Sequence, residues 1–155
     1  MSQKIAVVGA GFIGRSWAMV FSKAGHHVSL YDIDPAALSE AMNLLEINIA
    51  DLESNGLISS KDDLLGRIQP YKTLEGAVEE ADWVQENALE DVQIKRELFS
   101  RMDELLPETT ILASSTSAIP CSDISNGMKG AGRIIVAHPA NPPYLFPIVD
   151  LSGAP

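Results

Sequence analysis

Apolar residues along this chain fall into two repeating patterns. Short continuous runs end at glycine or at a polar residue, and longer stretches between them carry apolar positions three or four residues apart. Lys4 to Gly9 is a run of the first kind, the pattern of a strand buried on both faces of a parallel sheet. From Ile13 to Ala24, the residues Trp17, Ala18, Val20, Phe21 and Ala24 keep helical spacing until Gly25 stops it. A second strand is expected at His27 to Tyr31. Asp34 before Pro35 reads as an N-cap followed by a first-turn proline. It opens a long helix in which Leu38, Met42, Leu45, Ile49 and Leu52 hold the period until Gly56.

Residues 57–80 suggest short helical pieces and a brief segment around Ile68. After them come a strand at Trp83 to Gln85, a helix from Val92 to Leu106 ended by Pro107, and a strand at Thr110 to Ala113. A helix opened by Pro120, a strand at Ile134 to Ala137 and a strand-like Ile148 to Leu151 complete the pattern. This alternation predicts an α/β fold: a doubly wound, mainly parallel sheet with helices on both faces, right-handed crossovers, and ligands at the carboxyl ends of the strands. Residues 1–155 read as a single domain. The chain stops at Gly153-Ala154-Pro155, directly after a strand-like stretch, so the expectation is a truncated unit.

Composition narrows the partners. With 46% hydrophobic residues the chain can bury a core. Its 21 acidic against 11 basic side chains give a net charge of -10, which opposes binding to nucleic acid or to an anionic membrane surface. Cys121 is the only cysteine, so neither an internal disulfide nor a thiolate metal cluster is expected, and a reducing, cytoplasmic setting fits. The N-terminus enters a strand pattern at once, without signal-peptide architecture, and no run is long enough to span a bilayer.

The candidate chemistry begins in the first turn, GAGFIG at residues 9–14, whose glycines match the dinucleotide fingerprint G-x-G-x-x-G. Gly9 permits the tight strand-to-helix turn, Gly11 lets the backbone approach a pyrophosphate, and Gly14 lets the helix pack closely on the strand. Phe12 and Ile13 lie within the same cofactor-binding turn. The helix N-terminus supplies free N–H groups and a positive dipole end, so an acidic protein can hold this anion without a lysine. Glycine spacing alone is weak, but here a strand precedes it and a helix follows. Asp32 ends the second strand, where a carboxylate can accept hydrogen bonds from both adenosine ribose hydroxyls. A 2'-phosphate would meet Asp32 and Asp34 with no arginine expected nearby, so NAD is predicted over NADP. The plainer reading of Asp32 is a turn residue before Pro35.

With these residues, SSTSAIP at 114–120 and AHPANPPYLFPIVDL at 137–151 complete a resemblance to the NAD-binding N-terminal domain of the 3-hydroxyacyl-CoA dehydrogenase superfamily. RSWAM in the first helix and the HPANPPY form are most similar to its L-gulonate 3-dehydrogenase and lambda-crystallin branch. The resemblance implies that His138 is the general base, paired with an acid at Asp150, where the family usually has glutamate. It implies that Ser117 hydrogen-bonds the substrate hydroxyl, that Asn141 contacts the nicotinamide side, and that Glu90 and Lys95 line the cofactor. It also implies a helical C-terminal domain, absent from this chain, that closes the substrate cleft and forms a homodimer. Histidine suits a proton transfer near neutral pH. Each residue also has a plainer reading: a loop histidine before Pro139 for His138, a turn or capping residue for Ser117, and solvated helix-surface groups for Glu90 and Lys95.

Relatives that act on acyl thioesters are expected to hold coenzyme A with polar and basic groups on the helix after the second strand. Here that helix carries Glu40, Glu46, Asp51 and Glu53 and no basic residue, with Asn48 and Asn55 near the family's serine and lysine positions. Phosphate-rich coenzyme A should be repelled. The expected substrate is therefore a small, L-gulonate-like hydroxy acid. A 3-hydroxyacyl-CoA dehydrogenase and a non-enzymatic, crystallin-like NAD-binding protein are the alternatives.

Overall fold

The computed structural model describes residues 2–154. Six parallel strands and one antiparallel strand form a single sheet, with helices on both faces. In chain order the elements are β1 (Lys4–Val8), α1 (Phe12–Lys23), β2 (His27–Tyr31), α2 (Pro35–Ser54), α3 (Lys61–Leu65), β3 (Ile68–Tyr71) and α4 (Leu74–Val78). Then follow β4 (Trp83–Glu86), α5 (Val92–Leu105), β5 (Ile111–Ser114), α6 (Cys121–Ser125), a 3-10 turn at Ala131–Arg133, β6 (Ile134–Pro139) and β7 (Val149–Gly153). The strand order is β3-β2-β1-β4-β5-β6-β7. Its first six strands have the doubly wound nucleotide-binding order, which reverses direction between β1 and β4 and leaves a crevice there.

Alternating strand positions face opposite layers, as period two requires. Ile5, Val7, Val28 and Leu30 pack against Trp17 and Met19 of α1 and Leu38, Ala41, Leu45 and Ile49 of α2. Ala6, Val8, Val84, Leu112 and Val136 face the other way, toward Val78, Phe99, Met102 and Ile124. The predicted cap of α2 is present: the Asp34 carboxylate accepts from the Ala36 N–H at 2.9 Å, with Pro35 in the first turn.

β4, β5 and β6 run one or two residues further than their apolar runs indicate. Polar residues at the ends of these runs stay in the ladder: Glu86 stands opposite Val8 and Ser114, and His138 opposite Asp150. β7 starts one residue later than predicted and returns antiparallel along β6. Hence polar side chains from several strands gather at the carboxyl end of the sheet.

Candidate active site

The glycine turn comes first. Gly9 has φ +95°, a left-handed conformation that glycine adopts without strain, and a Cβ there would lie 2.6 Å from the Asn87 carbonyl oxygen. At Gly14 a Cβ would lie 1.8 Å from the Gly9 carbonyl oxygen, so helix and turn touch only because no side chain intervenes. Gly11 is different. Nothing lies within 4 Å of its would-be Cβ, and it caps α1 without a side-chain hydrogen bond, leaving first-turn N–H groups open to an anion.

Asp32 is tied to this turn. One carboxylate oxygen accepts from the Ala10 N–H at 2.7 Å and the other from the Asp34 N–H at 2.9 Å. Each oxygen keeps a lone pair for a ribose hydroxyl. The open face at Gly11 and the anchored Asp32 suit a dinucleotide, and NAD held there would supply the hydride-accepting ring. Contrary to the expectation of no arginine nearby, Arg15 donates from Nη1 to the Ala10 carbonyl at 3.3 Å, so a guanidinium reaches the turn that Asp32 grips. No Arg15–Asp32 ion pair forms among the described residues.

At the other end of the crevice lies a cleft of about 280 Å³. It brings together Ile13, Glu90, Lys95, Ser117, His138 and Asn141, six of the residues singled out from sequence. Phe12, half exposed, stands outside it. An adjoining hollow of about 300 Å³ joins Ser117 and His138 to Asp150. His138 is 34% exposed and Asp150 89%, with 4.0 Å between Nδ1 and Oδ2. That separation allows charge attraction but exceeds a hydrogen bond, as the shorter acidic side chain leads one to expect.

Lys95 is not a surface lysine. It is 1% exposed, and its Nζ donates to both oxygens of the fully buried Glu86 at 2.8 and 3.0 Å. Ser114 Oγ donates to Glu86 at 2.5 Å, and the Ala88 N–H donates to it at 2.6 Å. A buried carboxylate with this many partners is a fixed anchor. Lys95 Nζ also lies 3.4 Å from Glu90. One Glu90 oxygen in turn accepts from the Thr116 hydroxyl and from the Ser117 and Ala118 N–H groups at 3.1 and 3.3 Å. Burial works to raise the Glu90 carboxyl, yet the Thr116 bond, Lys95 and the two amides together hold it below its ordinary value. Lys95 thus lines the cleft from within an ion pair, and Glu90 clamps the loop that carries Ser117.

Sequence reasoning missed Glu86 and a second polar group, centred on Ser115, on the α1 face of the sheet. Trp17 Nε1 and Gln85 Nε2 donate to Ser115 Oγ at 3.0 and 2.8 Å, and Ser115 donates to Asn87 Oδ1 at 2.7 Å. No local motif marks these residues, which lie as far as 98 positions apart. A polar residue closing an apolar strand run was the one available signal.

Fold and crevice define a dinucleotide-binding domain of the nicotinamide-dependent dehydrogenases. Residues 4–155 match the family model "3-hydroxyacyl-CoA dehydrogenase, NAD binding domain", and the chain belongs to that family. It is 39% identical over 154 residues to a lambda-crystallin homolog of Bos taurus, covering 97% of this chain and 48% of the relative. It is 38% identical over 151 residues to an L-carnitine dehydrogenase of Streptomyces griseus, covering 97% of this chain and 44% of that one. The crystal structure of 3-hydroxybutyryl-CoA dehydrogenase from Escherichia coli superposes with a TM-score of 0.92 at 29% identity, over 97% of this chain and 32% of that one. The chain therefore spans about half the length of the curated relatives it matches. Among the described residues no helix is long and apolar enough to cross a membrane, and no cluster of three or more His, Cys, Asp or Glu could hold a metal.

Proposed function

We propose that the chain is the NAD-binding unit of a dehydrogenase that oxidises the 3-hydroxyl of a small, L-gulonate-like hydroxy acid. The observation that carries this reading is the meeting of Ser117, His138 and Asn141 around one cleft at the end of the cofactor crevice. His138 accepts the hydroxyl proton as hydride leaves carbon, and the proton then passes to solvent, to which the ring is partly open. Asp150 attracts the imidazolium that forms. Ser117, whose hydroxyl has no partner among the described residues, holds the substrate hydroxyl. Asn141 faces the nicotinamide side, and Glu90 and Lys95 shape the wall beneath it. The unit works with a second domain that completes the cleft and carries the dimer contact.

A small substrate is favoured over an acyl-CoA by α2. Glu40, Glu46 and Glu53 point outward along it, and neither its first nor its last turn carries a basic residue. Coenzyme A phosphates would meet carboxylates there. Turnover of L-gulonate, L-carnitine and a 3-hydroxyacyl-CoA by the protein together with its second domain tests the substrate class. A small hydroxy acid should be preferred, and preference for the thioester overturns the reading. In the same protein His138→Ala should keep NAD affinity and lower turnover by about a hundredfold or more. Unchanged turnover removes His138 from the chemistry.

A further inference from the structure

Two polar networks, each with a buried part, flank the ends of β4 and β5 on opposite faces of the sheet. The one on the α5 face holds the Glu86–Lys95 pair and the Ser117 loop. The other, on the α1 face, has no part in the chemistry proposed above. Its centre is Ser115, whose hydroxyl is saturated: it accepts from Trp17 Nε1 and Gln85 Nε2 and donates to Asn87 Oδ1. With no lone pair or proton left over, Ser115 cannot also hold substrate, although it borders the cleft. Gln85 is fully buried and both its N–H donors are used: Nε2 donates to Ser115 and to the Ala137 carbonyl, the latter at 3.3 Å, while Oε1 accepts from Trp83 Nε1 at 3.0 Å. Both tryptophans of the chain therefore donate their indole N–H into one cluster. The cluster reaches the peptide that precedes His138.

We propose that Ser115 and Trp17 are positioning residues, which fix the His138 main chain relative to the phosphate-binding helix through Gln85. This rests on His138 being the base. The link runs from α1, which carries the glycine turn at its start, through a β5-end hydroxyl and a β4 amide to β6. The Gln85–Ala137 bond is buried and the two bonds to Ser115 are half-buried, and leaving a partner unpaired there is costly. Removing the Ser115 hydroxyl strands the Trp17 indole, one Gln85 proton and the Asn87 oxygen together. Gln85 then has reason to turn, and the Ala137 carbonyl loses its fixed donor.

Heteronuclear NMR of the His138 imidazole, alone and with NADH, tests the proposal in this chain. Circular dichroism and NADH titration run alongside on Ser115→Ala, Trp17→Phe and Ser115→Thr. The expected result is that Ser115→Ala and Trp17→Phe fold and bind NADH close to wild type while the His138 resonances move. Ser115→Thr, which keeps the hydroxyl, should return them toward the wild-type position. In the protein with its second domain, Ser115→Ala should lower turnover by about tenfold or more, with the KM for NAD little changed. His138 signals that overlay wild type in a folded Ser115→Ala, free and bound, overturn the proposal. If Ser115→Ala does not fold, Trp17→Phe decides in the same way. Displacement of His138 is read without turnover, so a failure of His138 as base would show separately as an unaffected His138→Ala enzyme.

Discussion

Protonating Glu90 weakens the acceptor shared by the Thr116 hydroxyl and the Ser117 and Ala118 amides, and it cancels the charge attraction to Lys95. Because the folded protein holds this carboxyl below its ordinary value of 4.5, the ordering it gives the Ser117 loop is present above that value. It is lost as pH falls through the lower, folded value. Acid titration followed on the Ser117 and Ala118 amide resonances should show a shared midpoint below the usual glutamate range, and Glu90→Gln should abolish that step. Glu86 and Lys95 belong to the same wall but carry a larger stake. Lys95→Met removes the ion-pair partner of the fully buried Glu86 and should destabilise by about 3–5 kcal/mol, measured by urea unfolding. Asp150→Ala, at an exposed position, should change stability by no more than about 0.5 kcal/mol.

The glycines of the first turn separate folding from binding at the level of an element. Gly14→Ala drives a methyl into the Gly9 carbonyl and should push α1 off β1, lowering stability and NAD affinity together. Gly11→Ala meets nothing in the protein and keeps an ordinary extended backbone. Its stability should therefore fall by no more than about 1 kcal/mol while NAD affinity falls at least about tenfold, a contrast that thermal unfolding and calorimetry would resolve. These features could be read from the sequence because each depends on neighbours: strand, turn and helix follow one another within 20 residues of chain. The same holds for the Asp34 cap. Lys95 could not be placed in this way. Its helix reads as amphipathic with a polar face, and only the arrival of β4 and β5 beneath it turns a surface lysine into a buried one. Ser115 and Gln85 escaped for the same reason, since their partners come from four separate elements.

At the scale of the whole molecule, charge is the property that survives from composition to behaviour. A net charge of -10 on 155 residues repels every anion the crevice must admit, and the helix N-terminus attracts the pyrophosphate only at short range. Screening by salt should therefore speed NADH association, by about a few-fold between roughly 20 and 200 mM salt in stopped-flow fluorescence. A rate that falls with salt would instead point to local steering by basic side chains. The sheet order follows from the alternation of strands and helices, which permits few topologies. The direction of β7 does not, because an apolar run gives no sign of which way it returns.

That last strand carries a vulnerability. His138 and Asp150, the proposed base and its acid, stand opposite each other because β6 and β7 are paired in one frame, with Ala137 against Leu151 and Pro139 against Val149 on either side. Residues 140–148 act as the spacer that sets this frame. Adding a single residue between Asn141 and Val149 would slide β7 by one position and turn every side chain over. His138 would then look at leucine or valine, and the carboxylate would face away. The length of that connecting loop therefore belongs to the proposed site as much as the two residues it aligns, although none of the loop's own side chains pairs them.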